Sequence, residues 1–388
     1  MKILFLTSRL PYPLNKGDKL RAYYQIREIS KFHDVILVSI SEDDTSTLHI
    51  SHLQKYTRKV FVIRIRPFER YCSLIKSLNS EIPLSVAWFY SKRIQIAINK
   101  IIEDEKPNLI FCQLTRMHPY LKSHNNTPKV IDYMDAFGVG MQRRSHIVDI
   151  FNKQIYKLEG KRMTNYETDV AKYYDRLLII SDQDKSMLAL PTGLKVDVVP
   201  NGVDQKFFEI KPSKKFYDIV FVGNMSYLPN INAAEYIVHQ ILPILDQKNT
   251  KVLFAGVDPD ERVKRLSNDH VTVSGYVDDI REAYVSGKIF VAPLFYGTGQ
   301  QNKILEAMAL KLPCVTTTAV NNAINASNGE QIFLADDAKS FATIINKLLT
   351  DHDSRNKIGE NASLFVKENY KWEEIGHKLN RIFAQIIQ

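Results

Sequence analysis

The chain has 388 residues, 45% hydrophobic and 24% charged. That is too long for one ordinary core and fits two domains of about 150–200 residues, neither of disordered composition. Cys72, Cys112 and Cys314 are far apart and odd in number, match no zinc-ligand spacing, and point to a reducing compartment. The net charge of +9 is uneven: residues 1–200 hold 31 Lys/Arg against 21 Asp/Glu, and the remainder 21 against 22.

In chain order, Met1–Thr7 is an apolar run that reaches Arg9 too soon for a signal peptide and reads as a first β-strand. Further short apolar runs predict strands at Asp34–Ile40, Lys59–Ile65, Asn108–Cys112, Lys129–Met134, Arg176–Ile180 and Val196–Val199. Between Lys55 and Lys100 ten basic residues face two acidic ones, interleaved with Phe68, Tyr71, Ile75, Trp88 and Phe89. Such a stretch suits an anionic membrane surface or a lipid-linked acceptor, and equally a solvated basic face over a buried aromatic edge. No nucleic-acid-binding module is visible, so nucleic acid is not an expected partner. After the turn-rich Pro200–Asp204 the pattern restarts, with strands expected at Asp218–Val222, Lys251–Ala255, Val271–Ser274, Lys288–Val291, Cys314–Thr317 and Gln331–Leu334.

Two β–α series separated by one break predict an α/β chain of two Rossmann-like domains, residues 1–200 and 201–372, with a ligand cleft between them. No run approaches the roughly 20 apolar residues of a membrane span. The expected setting is cytoplasmic, or peripheral at the inner face of the membrane.

Three segments carry candidate chemistry. In Pro293–Ala309 a strand gives way to a loop with Gly297 and Gly299, and a helix opens near Gln301–Lys303. Helix-start N–H groups attract anions. Lys303 puts a positive charge at that same end, the wrong sign for helix stability unless an anion such as a diphosphate binds. Glu306, one turn on, is placed to accept hydrogen bonds from ribose hydroxyls. The second segment is the long first βα loop, Thr7–Asp18, where Gly17 permits close backbone approach and Asp18 is available as a helix N-cap. The third is Val130–Phe137, where Asp135 follows the strand and is suited to orient an acceptor or take its proton. His118 is its rival. Asp258-Pro259-Asp260 spells a metal-binding Asp-x-Asp but follows a strand directly and reads as a helix cap. No Cys/His cluster suggests a metal, and no Gly-x-Gly-x-x-Gly follows the first strand, which disfavours a dinucleotide dehydrogenase.

The segment at Pro293–Ala309 resembles the donor-site motif of the family 4 ("group 1") glycosyltransferases. Further likenesses are Phe221–Met225 with Pro229-Asn230, Val199–Asp204, Ser274–Asp279, and Trp372 with the helix to Gln388. Through Pro11-Tyr12-Pro13, Gly17-Asp18 and Arg21 the chain is most similar to the exopolysaccharide-associated branch. The resemblance implies a GT-B fold whose C-terminal helix, about 373–388, crosses back to the first domain. It implies retention of anomeric configuration and a nucleotide-diphosphate sugar as co-substrate, with no cofactor or metal. The acceptor is then a glycan or lipid-linked molecule of cell-surface polysaccharide synthesis. On this reading Tyr276 and Val277 meet the base and Glu306 the ribose. Gly299, Gln300, Asn302 and Lys303 take the diphosphate, and Gly223 and Asn224 line the facing edge. The Gly17 loop reaches toward the transferring phosphate and acceptor, and Asp135 stands where many relatives have a His. The sequence departs from the family at Thr298, where the first of two spaced Glu residues is usual. Two other readings share the architecture: a sugar-nucleotide epimerase, and a non-catalytic scaffold that binds a glycan or protein.

Overall fold

The computed structural model describes residues 1–42, 46–145, 150–209, 215–295 and 299–387. Its strands are β1 Lys2–Thr7, β2 Asp34–Ser41, β3 Lys59–Arg64, β4 Leu109–Gln113, β5 Lys129–Asp132, β6 Arg176–Ile179, β7 Val196–Val198, β8 Tyr217–Val222, β9 Val252–Ala255, β10 Val271–Gly275, β11 Gly287–Ala292, β12 Cys314–Thr316 and β13 Phe333–Leu334. Each coincides with an apolar run of the sequence, with shifts at the ends. The chain divides into two compact units, Met1–Asn201 with Trp372–Gln388, and Gly202–Lys371.

The first unit holds a parallel sheet of order β3-β2-β1-β4-β5-β6-β7. Alternation along β1 sends Ile3 and Phe5 to one face, with Leu37, Leu109 and Phe111, and sends Leu4 and Leu6 to the other, with Ile36, Val38 and Ile110. Both faces are covered, so these strands read as continuous apolar runs rather than alternating ones. The helix Lys92–Glu105 closes one face with Ile94, Ile98 and Ile102; Ser91 caps its start and Lys106, at φ 47°, ends it. On the other face the helix Gly17–Ile29 supplies Ala22, Tyr23, Ile26 and Ile29. The final helix, Trp372–Ile387, joins it there through Ile375, Leu379, Ile382 and Phe383. Trp372 stacks on Tyr24 at 4.9 Å and 12°. The two helices approach closely at Gly376, where a Cβ would lie 2.6 Å from that of Glu28.

The second unit is a parallel sheet of order β10-β9-β8-β11-β12-β13 around one core that includes Phe221, Phe254 and Phe290. Each sheet reverses its strand order once, between β1 and β4 in the first unit and between β8 and β11 in the second. At such a reversal the following helices leave toward opposite faces, and a crevice opens at the C-terminal strand ends. Among the described residues no helix is long and apolar enough to cross a membrane.

Candidate functional site

In the second unit, β8 ends in Gly223-Asn224 before the helix Leu228–Tyr236, and β11 leads to the helix Asn302–Ala309. Lys303 bridges the two: its Nζ donates to Asn230 Oδ1 and lies 4.9 Å from the centre of the Phe221 ring. Asn230 Nδ2 in turn donates to the Asn224 carbonyl at 2.7 Å. A Cβ on Gly223 would fall 2.8 Å from Lys303 Nζ and from Asn230 Nδ2, so only glycine leaves this corner open. Among the described residues no carboxylate lies within ion-pair distance of Lys303. Desolvation pushes its pKa down to about 7, with Glu306 pulling the other way. Gln301, in the N-cap position, makes no side-chain capping bond. The helix start therefore joins a positive dipole end to a lysine that forms no ion pair among the described residues.

Lys303 and Glu306 are three residues apart and share a helix face. Tyr284 Oη donates to Glu306 Oε2 at 2.8 Å. Burial pushes the Glu306 carboxyl up; the Tyr284 bond and then Lys206 and Lys303 oppose it. Gly299, at φ 78°, and the buried Gln300 precede the helix, and Asn302 is its first residue. Thr298 and Gly297 lie outside the described residues. Tyr276, 70% exposed, follows Gly275 at the end of β10, and Val277 is half-buried against the core. Gly256 donates to the Gly275 carbonyl at 2.9 Å, and a Cβ on Gly256 would sit 1.7 Å from the Gly223 carbonyl oxygen. With Gly256 at φ 142°, Gly256→Ala is expected to cost more than about 1–3 kcal/mol and to lower the melting temperature. An unchanged melting curve would show that the strand ends tolerate separation. Asp260 caps the helix Glu261–Lys264 by accepting from Arg262 N at 2.9 Å, as its position after a strand suggested. Among the described residues no group of His, Cys, Asp and Glu is arranged to hold a metal ion.

In the first unit, the crevice between β1 and β4 gathers Arg9, Asp18 and Arg116. Arg9 Nη1 meets Asp18 Oδ2 at 2.6 Å, Arg116 Nη2 is 3.9 Å away, and Gln113 Nε2 donates to the Asp18 carbonyl at 2.7 Å. Burial works to raise the Asp18 carboxyl, but Arg116 and Arg9 outweigh it and hold it below the ordinary range. Asp18 is thus an ion-pair centre and not an N-cap; the helix starts at Gly17, with Lys16 in the cap position. A Cβ on Gly17 would lie 3.3 Å from Met134 Cε, so this loop touches the turn that carries Asp135. Desolvation and then Asp184 push the Asp135 carboxyl up to about 6, against Arg144 and Arg116.

The turn itself rests on a buried network. Asp132 and Arg21 are both fully buried and joined at 2.7 and 3.0 Å. Gln25 Nε2 donates to Asp132 at 2.7 Å, and Arg21 Nη1 donates to Asn201 Oδ1 at 2.9 Å. Asp132 also accepts from Met134 N at 3.0 Å, which holds Met134 at φ 67° and so aims Asp135.

His118 does not join this group. The short helix Thr115–Leu121 carries it away from the C-terminal strand ends, and its Nδ1 lies 3.2 Å from Tyr174 Oη, among Tyr166 and Tyr173. Desolvation, then Lys129 and Lys122, bring it down to about 4, so it stays neutral as a packing residue. Asn230, Gly256 and Tyr284 escape the list of candidates drawn from sequence. Asn230 alone had a signal, in the Pro229-Asn230 pair.

Residues 217–351 match the model of the glycosyl transferases group 1 family. Over its whole length the chain is similar to an uncharacterised 44.6 kDa protein of the cps region of Klebsiella pneumoniae, 23% identical and covering 96% of this chain and 97% of the relative. A capsular polysaccharide biosynthesis glycosyltransferase of Staphylococcus aureus, CapM, is 26% identical over 47% of this chain and 52% of its own. Among solved structures, sucrose-phosphate synthase from Thermosynechococcus elongatus superposes with a TM-score of 0.76 at 17% identity over 99% of both chains. HepE of Anabaena, solved with UDP, superposes with a TM-score of 0.68 at 15% identity over 99% of this chain and 100% of its own. Both sheets with their helices thus follow the GT-B pattern of those structures.

Proposed function

From a chain that carries a group 1 glycosyl transferase segment on a GT-B fold, we propose a glycosyltransferase that moves a sugar from a nucleoside-diphosphate sugar to a glycan or lipid-linked acceptor, in surface polysaccharide synthesis. The carrying observation is Lys303, desolvated, without a carboxylate partner among the described residues, and set in the first turn of the helix Asn302–Ala309 where the second sheet reverses its strand order. The cps-region and capsular names of the relatives support the pathway class, and the UDP and UDP-glucose complexes of HepE support the donor class.

In this reading the diphosphate meets Lys303 and the N–H groups from Gly299 to Asn302, the ribose meets Glu306, and the base lies on Tyr276 and Val277. Gly223 and Asn224 leave room at the facing edge. Stabilising the departing diphosphate supplies the main rate term. The acceptor belongs to the first unit, where the Gly17 loop and Asp135 converge. Retention follows the family and is read from the anomeric signal of the product.

A thermal-shift series with UDP, GDP and ADP tests the donor site: one of them should raise the melting temperature by linkage. No shift with any would favour the scaffold reading. Turnover of the donor without acceptor would favour the epimerase. Lys303 stands where a divalent cation would neutralise phosphate, so transfer should survive EDTA; loss restored by magnesium would overturn that part.

Asp135 as general base gives a pH signature. Its raised carboxyl is protonated below about pH 6, so the transfer rate should climb as pH rises through that value. A folded value above the unfolded one favours the folded state at low pH, and that contribution is lost as pH rises from about 4 to 6. Asp135→Asn should therefore flatten the rate limb and raise stability above pH 6. An intact limb in the variant would remove Asp135 from the chemistry.

A further inference from the structure

The helix Pro67–Leu78, which follows β3, turns an apolar stripe outward. Phe68 is 59% exposed, Tyr71 59%, Ile75 67% and Leu78 59%, at spacings that put all four on one helix face. A second exposed apolar pair lies on the neighbouring helix Ile150–Ala171, where Ile155 is 53% and Leu158 54% exposed. The two helices adjoin: Arg162 donates to the Leu78 carbonyl at 3.3 Å, and Glu159 accepts from Leu84 N and Ser85 N at 2.9 and 2.8 Å. An exposed apolar patch made of two helices is unusual for a surface that faces only water.

Its rim is cationic. Arg66, Lys76, Lys157 and Lys161 are exposed around the stripe. Of the neighbouring acids, Glu69 is engaged by Arg93 at 2.9 Å and Glu159 by the backbone bonds above, which leaves Glu81. Aromatic side chains mark the boundary: Tyr71 meets Trp88 edge-on at 6.2 Å, with Arg70 5.2 Å from the Trp88 ring centre. A helix with an exposed apolar stripe, boundary aromatics and a lysine rim has the chemistry of interfacial helices that lie in a lipid headgroup layer.

We propose that this face of the first unit docks on an anionic lipid bilayer. Trp88 Nε1 donates to Glu42 Oε1 at 2.8 Å, and Glu42 lines a cavity of about 310 Å³ with Arg9, Tyr12, Lys16 and Lys19 at the ends of β1 and β2. Docking brings that basic cavity to the headgroup layer, where the phosphate of a lipid-linked acceptor is found. The docking stands on the surface alone; only this last step rests on the transferase reading.

The test is flotation of the full chain with phosphatidylcholine vesicles, with and without phosphatidylglycerol, over a salt series. Binding is expected to the phosphatidylglycerol vesicles and to weaken with salt. Phe68→Ser with Ile75→Ser should lower it on the order of 100-fold, since each apolar side chain contributes about a factor of ten. Lys76→Gln, Lys157→Gln and Lys161→Gln together should flatten the salt dependence. Both variants should keep the wild-type melting temperature and nucleotide shift, because the altered side chains are exposed and lie outside the second unit. Equal recovery with both vesicle types, insensitive to either variant, overturns the proposal. So does a concentration-dependent dimer without vesicle binding that Phe68→Ser with Ile75→Ser abolishes, which would make a second copy the occupant. Vesicle binding retained with no nucleotide shift would sink the transferase reading and leave the docking in place.

Discussion

Lys303→Met is expected to lower transfer about 100- to 1,000-fold while leaving the nucleotide-free protein as stable as before or more so. On the proposed reading, the first half follows from removing a cation that would face the departing phosphate in a desolvated site. The second follows from the sign of its pKa shift. A lysine brought down to about 7 from its ordinary 10.5 disfavours folding, because the unfolded chain holds that proton more tightly. That penalty is fully present below about pH 7 and is relieved as pH rises toward 10.5. Methionine removes it at the loss of the bond to Asn230 and the contact with Phe221. The same shift sets the pH dependence of nucleotide binding: above pH 7 the empty site must gain a proton, so affinity should fall by up to about tenfold per pH unit. In Lys303→Met that slope should vanish. Calorimetric titrations from pH 6 to about pH 9, with melting curves of both proteins, read all three effects. Near-normal transfer would remove Lys303 from the phosphate site, and a melting temperature lowered by many degrees would make it a structural residue.

Arg21→Met is expected to destabilise the first unit by about 3–5 kcal/mol, because it strands Asp132 as an unpaired buried charge. Asp132 would keep its bonds from Gln25 and Met134 N but lose both contacts from the guanidinium. The measurement is clean in this chain, since Trp88 and Trp372, its two tryptophans, both belong to the first unit. Urea unfolding followed by tryptophan fluorescence should move to lower denaturant by about 2 M, taking a slope of about 2 kcal/mol/M. Arg21→Met with Asp132→Leu should be more stable than Arg21→Met alone, because the pair is removed with its desolvation penalty. A neutral single variant would show that water reaches the site and that the network is no keystone. Residual transfer in the folded fraction should also fall, as the Asp132–Met134 bond no longer has a fixed anchor from which to aim Asp135.

The thirteen strands and their grouping into two α/β units were legible in the chain. A strand buried on both faces must be an apolar run of limited length, and such runs between polar helical stretches leave few other arrangements. Lys303 was legible for an equally local reason: a cation at the positive end of a helix is a conflict visible in one turn of sequence. Its bond to Asn230 was not, because the two lie 73 positions apart and meet only through the strand order that sets β8 beside β11. The pairing of Arg21 with Asp132, 111 residues apart, likewise depends on the helix after β1 packing over the end of β5. Gly256 lies against the Gly223 carbonyl only because the sheet sets β9 beside β8. His118 is Asp135's rival in the sequence, each following a strand; the short helix after β4 carries one away while a left-handed Met134 keeps the other at the strand end. Local sterics and hydrophobic period thus speak through neighbouring residues. Desolvation, charge pairing and close approach belong to residues that meet only once the sheets have formed.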